Sequence, residues 1–140
     1  MSVLLDTNVV SELRKPQGRA DPRVQEWARA QPTPSLHLSV ITILEVEIGV
    51  TRMERRDTQQ GRQLREWLEN RVLVAFEGRI LPVDVAVARR AARLHGADPR
   101  PERDALIAAT ALTHDLSVVT RNEQDFIPMG VKVINPWREA

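Results

Sequence analysis

The chain has 140 residues, a length typical of one domain, with 42% hydrophobic and 28% charged residues, as in ordinary globular proteins. It contains no cysteine, which excludes disulfides, thiolate metal sites and a cysteine nucleophile, and no apolar run reaches the ~18 residues of a membrane span. Its net charge of +1 argues against a protein that coats nucleic acid through charge alone. We therefore expect a single soluble domain over residues 1–140, located in the cytoplasm and without a membrane partner.

Strand-like and helix-like segments alternate along the chain. Apolar runs predict strands at residues 3–5, 36–38, 117–120 and 131–134. Periodicity and caps predict helices from residue 7 to about 13, 22 to 30, 40 to about 53, 57 to 75, 83 to 95 and 102 to 113, with Asp21 and Ser39 as two of the caps. Short apolar strands separated by helices are typical of parallel strands covered on both faces. The prediction is an α/β fold, a three-layer α/β/α sandwich around a short central parallel sheet.

Polar residues follow two of the predicted strands directly. The first strand is followed by Asp6, Thr7 and Asn8, and the strand at residues 117–120 ends in Thr120, with Asn122 and Asp125 after it. A carboxylate such as Asp6 serves either as the N-cap of the next helix or as an active-site group, because open α/β sheets place their sites at the carboxyl ends of strands. Neighbouring strands lie about 4.8 Å apart, so we expect the two strand ends to meet.

Three further acids lie on predicted helices. Glu45 and Glu47 both border the apolar stripe of the helix that Ser39 caps, and helix geometry alone does not choose between them. Asp104 lies in the first turn of the helix over residues 102–113. There it either meets the positive end of the helix dipole or stands at the rim of the contact between helix and sheet.

Several acids in one cleft repel each other unless a cation neutralises their charge. The chain has no cysteine, and its three histidines show no ligand spacing, so we expect a site built from oxygen ligands. Such ligands suit Mg²⁺, with Mn²⁺ as the alternative.

Four stretches in a fixed order carry a family resemblance. They are LLDTNVVSEL, SVITILEVEIGV, RDALIAATAL and VVTRNEQDF, and VKVINPW closes the chain. In this order they resemble the PIN-domain family, in particular the VapC toxins of bacterial toxin–antitoxin systems and their FitB-like relatives. The family pattern puts a glutamate four residues before a glycine, which favours Glu45, before Gly49, over Glu47.

The resemblance implies the roles of the candidate site residues. Asp6, Glu45 and Asp104 would form the catalytic and metal-binding acidic core. Many family members have an aspartate where this chain has Asn122, so Asp125 is expected to be the fourth catalytic and metal-binding acid. We expect Thr120 and Asn122 to support Asp125 by hydrogen bonding. Two further polar residues are expected to support the site: Thr7 and Asn8.

The resemblance also implies a function and partners. The chain would be the toxin of a type II toxin–antitoxin system, a Mg²⁺-dependent ribonuclease that hydrolyses RNA phosphodiester bonds and is inhibited by a cognate antitoxin. It would form a homodimer, within a higher toxin–antitoxin assembly in some states. The amphipathic helices at residues 57–75 and 83–95 are expected to offer apolar surface for dimerisation.

Two other functions compete with this one. A receiver-like, phospho-accepting signalling domain needs two adjacent acids early and a lysine after the late threonine, but here the early motif is DTN and Arg121 follows Thr120. A catalytically inert PIN-like binding module would not need its acids, and the three core acids are intact. Metal-dependent cleavage of RNA distinguishes the enzyme from both alternatives.

Overall fold

Five short parallel strands form the centre of the computed structural model, which describes residues 1–96 and 98–138. The strands are β1 (Val3–Leu5), β2 (Leu36–Ser39), β3 (Ile80–Leu81), β4 (Ser117–Val119) and β5 (Val133–Ile134). Their order across the sheet is β3-β2-β1-β4-β5, and each pair of neighbours is parallel. The strand that precedes Asp6 therefore lies at the centre of the sheet.

Helices connect the strands and cover the sheet. They are α1 (Thr7–Arg14), α2 (Pro22–Ala30), α3 (Val40–Arg56), α4 (Thr58–Trp67), α5 (Leu73–Ala75), α6 (Val85–His95), α7 (Glu102–Thr113) and α8 (Glu123–Phe126). Asp21 and Ser39 cap α2 and α3 through side-chain hydrogen bonds, as their positions predicted. No helix in the described ranges is both long and apolar enough to cross a membrane.

The side chains of β1 alternate between two hydrophobic cores. Val3 and Leu5 belong to a core with residues of α1, α2 and α3, while Leu4 belongs to a core with the alanine-rich face of α7. Every residue of β1 is buried, which is the pattern expected of a strand with helices on both faces. The predicted three-layer α/β/α sandwich is confirmed.

The helix predicted over residues 57–75 is interrupted. Asp57 caps α4, but a π-helical turn over Leu68–Val72 separates α4 from α5. In this turn the N–H of Leu73 bonds the carbonyl of Leu68, five residues back rather than four. The extra residue per turn keeps Leu68 and Val72 in the core.

The predicted and observed elements also differ in two edge strands and one short helix. β5 begins at Val133 rather than residue 131, because its pairing with β4 starts there. Val131 comes before the paired residues and is buried in the core. Ile80–Leu81 forms the edge strand β3, which apolar spacing did not identify. The short helix α8 was also not predicted; it buries Phe126 completely.

Candidate active site

Asp6 is held at the carboxyl end of β1 in the middle of the sheet. Its Oδ1 accepts the backbone N–H of Thr7 at 2.8 Å, so Asp6 is the N-cap of α1. Its Oδ2 accepts the hydroxyl of Thr120 at 2.8 Å and the side-chain amide of Asn8 at 3.3 Å. With 5% of its surface exposed, Asp6 serves as a cap and is also fixed at the edge where sites form.

Thr120 supports Asp6 rather than Asp125, contrary to expectation. The register pairs Leu5 with Val119, which puts the following residues, Asp6 and Thr120, beside each other. The hydroxyl of Thr120 also accepts the amide of Asn8 at 3.2 Å. The contact between Asn122 and Asp125 is made by the backbone, since the carbonyl of Asn122 accepts the Asp125 N–H at 3.1 Å.

Glu45 reaches the same edge from the second turn of α3. Its Oε1 accepts the hydroxyl of Thr7 at 2.5 Å, and its Oε2 lies 3.6 Å from the guanidinium of Arg103. Glu47, two residues further, pairs instead with Arg65 of α4 at 2.6 Å. Of the two glutamates that helix geometry left open, Glu45 is therefore the one beside Asp6.

Asp104 completes the group from the first turn of α7. Its pKa is raised from 3.8 to about 6, mainly by burial and further by the charges of Asp6, Asp125 and Glu45. The pKa of Asp6 is also raised, mainly by burial, although its hydrogen bonds with Thr120 and Thr7 oppose that shift. The fold thus brings carboxylates from four distant parts of the chain close enough to repel one another.

The donor set fits a hard divalent cation. The side chains at this edge offer carboxylate, hydroxyl and amide oxygens, which are the ligands of Mg²⁺. Within residues 1–96 and 98–138, no three acidic or histidine side chains are grouped tightly enough to hold one ion together. Mg²⁺ does not require such a group, because it keeps several waters and binds through one or two carboxylates plus substrate phosphates.

Sequence reasoning missed two residues of this site. Arg103 pairs with Glu45, and Thr42, one turn before Glu45 on α3, lies 3.4 Å from the hydroxyl of Thr7. The signal for Arg103 was its position directly before Asp104. The signal for Thr42 was its spacing of three residues from Glu45, which places both on one side of a helix.

Comparison with known proteins gives close relatives over the full length. A family model described as PIN domain matches residues 3–130. The VapC ribonuclease Y4jK of Sinorhizobium fredii is 38% identical over an alignment of 146 residues, which covers 99% of this chain and 99% of that protein. Toxin FitB of Neisseria gonorrhoeae is 38% identical over an alignment of 143 residues, which covers 98% of this chain and 99% of the toxin.

Solved structures agree with these relatives. The crystal structure of FitAcB from Neisseria gonorrhoeae matches with a TM-score of 0.88 and 38% identity, covering 98% of this chain and 99% of that chain. DNA-bound VapBC from Salmonella typhimurium shares the fold, with a TM-score of 0.70 and 22% identity over 99% of both chains. The resemblance seen in the four ordered motifs is confirmed, and the chain is a member of the PIN-domain family, on the branch of the FitB and VapC toxins.

Proposed function

We propose that this chain is the toxin of a type II toxin–antitoxin system and that it hydrolyses RNA phosphodiester bonds with Mg²⁺ in the cytoplasm. The observation that carries the proposal is the acidic edge of the sheet, defined by Asp6, Glu45, Asp104 and Asp125, whose members interact electrostatically. Relatives that span nearly the whole chain are named a ribonuclease and a toxin. The same site accepts Mn²⁺ chemically, since Mn²⁺ prefers the same oxygen ligands.

Each residue of the acidic edge would have its own role in such a reaction. A bound Mg²⁺ supplies charge neutralisation at a phosphate and lowers the pKa of water. Asp6 and Asp104 would hold the ion, with Asp125 completing its surroundings directly or through water. Glu45, fixed by Thr7 at 2.5 Å, would orient the attacking water and take its proton, because a carboxylate locked by a second side chain keeps the required direction.

Supporting residues keep this arrangement rigid. Thr120 and Asn8 hold Asp6 by hydrogen bonds from neighbouring elements, and Thr7 ties the start of α1 to Glu45 on α3. Except for Glu45, the side chains in these contacts are short. Asn122 would add to this support through its backbone N–H, which the hydroxyl of Thr120 accepts at 3.0 Å.

The experiment compares RNA cleavage by the purified chain in Mg²⁺ and in EDTA. We expect cleavage in Mg²⁺ only, and loss of cleavage in the variant Asp104→Asn. The matched control is Glu66→Gln, because Glu66 is exposed on α4. Cleavage that persists in EDTA would contradict the metal requirement. A chain that cleaves no RNA in either condition would favour the inert binding module.

We also propose that the chain assembles with an antitoxin and with a second copy of itself. Solved relatives include FitAB and VapBC assemblies. The helices expected to provide the dimer surface bury some apolar residues, since Val87 and Ala91 of α6 pack against α7, but they leave Val74 of α5 and Val85 of α6 63% and 74% exposed. On α3, Val40 and Leu44 are also exposed, at 36% and 45%. A monomer in sedimentation at micromolar concentration would contradict the dimer.

A further inference from the structure

Three arginines form a stripe on the outer side of α6. The arginine stripe consists of Arg89, Arg90 and Arg93, and the opposite side of the helix is buried. Within the described ranges, no carboxylate lies within ion-pair distance of any of the three. Together with Ala86 and Thr113 they line a cavity of about 260 Å³. Among the described residues, the three guanidinium groups therefore form no ion pair with an acid.

The stripe lies on the helix pair that carries Asp104. The cavity joins Ala86, near the start of α6, to Thr113, at the end of α7. At the other end, the ring of His95 accepts the backbone N–H of Arg100 at 2.9 Å, just before α7 begins. The two helices therefore run antiparallel, and Thr113, at one end of the cavity, lies nine residues beyond Asp104 along α7, or about 14 Å at 1.5 Å per residue.

The acidic edge needs positive charge nearby if it acts on RNA. Four carboxylates repel the phosphates that they are proposed to approach, and a net charge of +1 provides no general attraction. Phosphate binding must therefore come from a local surface. Arginine suits this role, because its guanidinium forms paired hydrogen bonds with phosphate oxygens and stays charged.

We propose that the arginine stripe binds the backbone of the RNA strand on one side of the cleavage site. The inference rests on the proposed function and adds the surface that holds the substrate. The distance of about 14 Å from Asp104 to the far end of the cavity at Thr113 corresponds to roughly four stacked nucleotides at 3.4 Å each. Since α6 contains no Phe, Tyr or Trp to stack on bases, the stripe contributes affinity and positions the strand, and it does not select a sequence.

The test measures RNA binding by the full chain in EDTA, where the proposed cleavage does not occur. The variant Arg89→Gln/Arg93→Gln removes two charges from the stripe and keeps good helix formers. The matched control is Arg55→Gln/Arg62→Gln, which removes two charges from exposed positions of α3 and α4. The probe is a fluorescein-labelled single-stranded RNA of about twelve nucleotides, which is long enough to span the distance above.

We expect the stripe variant to bind this RNA on the order of tenfold more weakly at low salt, with the control close to wild type. The slope of log affinity against log salt should fall by about 1.4, or about 0.7 for each lost phosphate contact.

Three results would overturn the inference. Equal affinities and salt slopes for the stripe variant and the control would show that the stripe does not bind RNA. A change of oligomeric state in the stripe variant by sedimentation, without loss of RNA affinity, would assign α6 to an interface between copies. Failure of the wild-type chain to bind or cleave any RNA would overturn the proposed function as well, whereas the first two results leave that function intact.

Discussion

At the scale of single residues, a substitution of Asp104 tests most directly whether the four acids repel one another in the metal-free protein. Its raised pKa of about 6 means that folding favours the protonated form. In the metal-free protein the contribution of Asp104 to the free energy of unfolding is therefore greatest below about pH 4. It falls as the pH rises from about 4 to about 6 and stays low above pH 6. Asp104→Asn should raise the free energy of unfolding in EDTA near pH 7 by about 1 kcal/mol, after allowance for solvent screening.

Urea unfolding in EDTA at two pH values measures this effect. The gain should disappear near pH 4, where the wild-type carboxyl is protonated, and Glu66→Gln should show no such gain. The same Asp104→Asn protein should have lost RNA cleavage. A variant that is less stable than wild type at neutral pH would contradict the repulsion that we assign to the acidic edge.

Arg103 is the only described cation paired with an acid of this edge, and it makes a second prediction. Its guanidinium lies 3.6 Å from Oε2 of Glu45, so it competes with a metal for that oxygen. Arg103→Gln should raise the affinity for Mg²⁺ about two- to fivefold, the range that a partly exposed ion pair of 0.5–1 kcal/mol provides.

Titration calorimetry with Mg²⁺ alone tests this expectation without any cleavage assay. Arg103→Lys keeps the charge and should stay near wild type. The control Arg121→Gln removes an equal charge close to Thr120, where the guanidinium lies over the ring of Trp137 at 5.5 Å. Equal gains in Arg103→Gln and Arg121→Gln would mean that net charge, not the contact with Glu45, sets the affinity.

The positions of the candidate residues were predictable from sequence to different degrees. The placement of Asp6 beside Thr120 follows from strand pairing, because both come directly after neighbouring parallel strands. The choice of Glu45 over Glu47 did not follow from helix geometry. In the structure the two glutamates face different sides of α3: Glu45 contacts Thr7, and Glu47 pairs with Arg65, 18 residues later. No local pattern encodes these two long-range contacts.

At the scale of elements, two glycines on the α3–α4 hairpin give opposite predictions. A Cβ on Gly61 would lie 2.5 Å from the backbone Cα of Glu54, whereas a Cβ on Gly49 would meet nothing within 4 Å. Gly61→Ala should therefore destabilise the protein by about 1–3 kcal/mol through overpacking. Gly49→Ala, at an exposed position inside α3, should stabilise it by about 0.5–1 kcal/mol.

Urea unfolding of the two alanine variants provides an internal control, since each makes the same chemical change on one helix pair. Similar stabilities for Gly61→Ala and wild type would show that α4 shifts away from α3 at little cost. A loss of stability in Gly49→Ala would mean that this face of α3 is covered in solution.

Elements with long, regular patterns were predictable, and short or irregular ones were not. The helix over residues 102–113 was predicted at both ends, because a run of small apolar residues follows a proline and an acidic first turn. The π-helical turn at Leu68–Val72 was missed, since spacing of apolar residues does not distinguish a turn with one extra residue. The two-residue strand β3 was missed because its pairing with β2, rather than its own sequence, defines it.

At the scale of the whole molecule, the sheet order explains why residues so far apart in the chain meet. Asp6 follows the central strand β1, whose neighbours β2 and β4 lead into α3 and α8. Glu45 and Asp125 lie on those two helices and thus flank Asp6. Asp104 joins from α7, whose alanines pack against the sheet. The parallel sheet of this chain therefore brings four acids to one edge, and an inhibitor that binds there would gain affinity from a positive charge.

The last prediction concerns such an inhibitor. A small apolar cavity of about 170 Å³ lies between α1 and the segment from Trp67 to Phe76, and it can take an apolar anchor of an amphipathic antitoxin segment. An arginine of that segment would bind the acidic edge bidentately and compete with Mg²⁺. The apparent inhibition constant of an antitoxin peptide should therefore rise with Mg²⁺ at constant ionic strength, measured by RNA cleavage. An inhibition constant independent of Mg²⁺ would mean that the peptide only blocks access of RNA, and replacing its arginine should then change nothing.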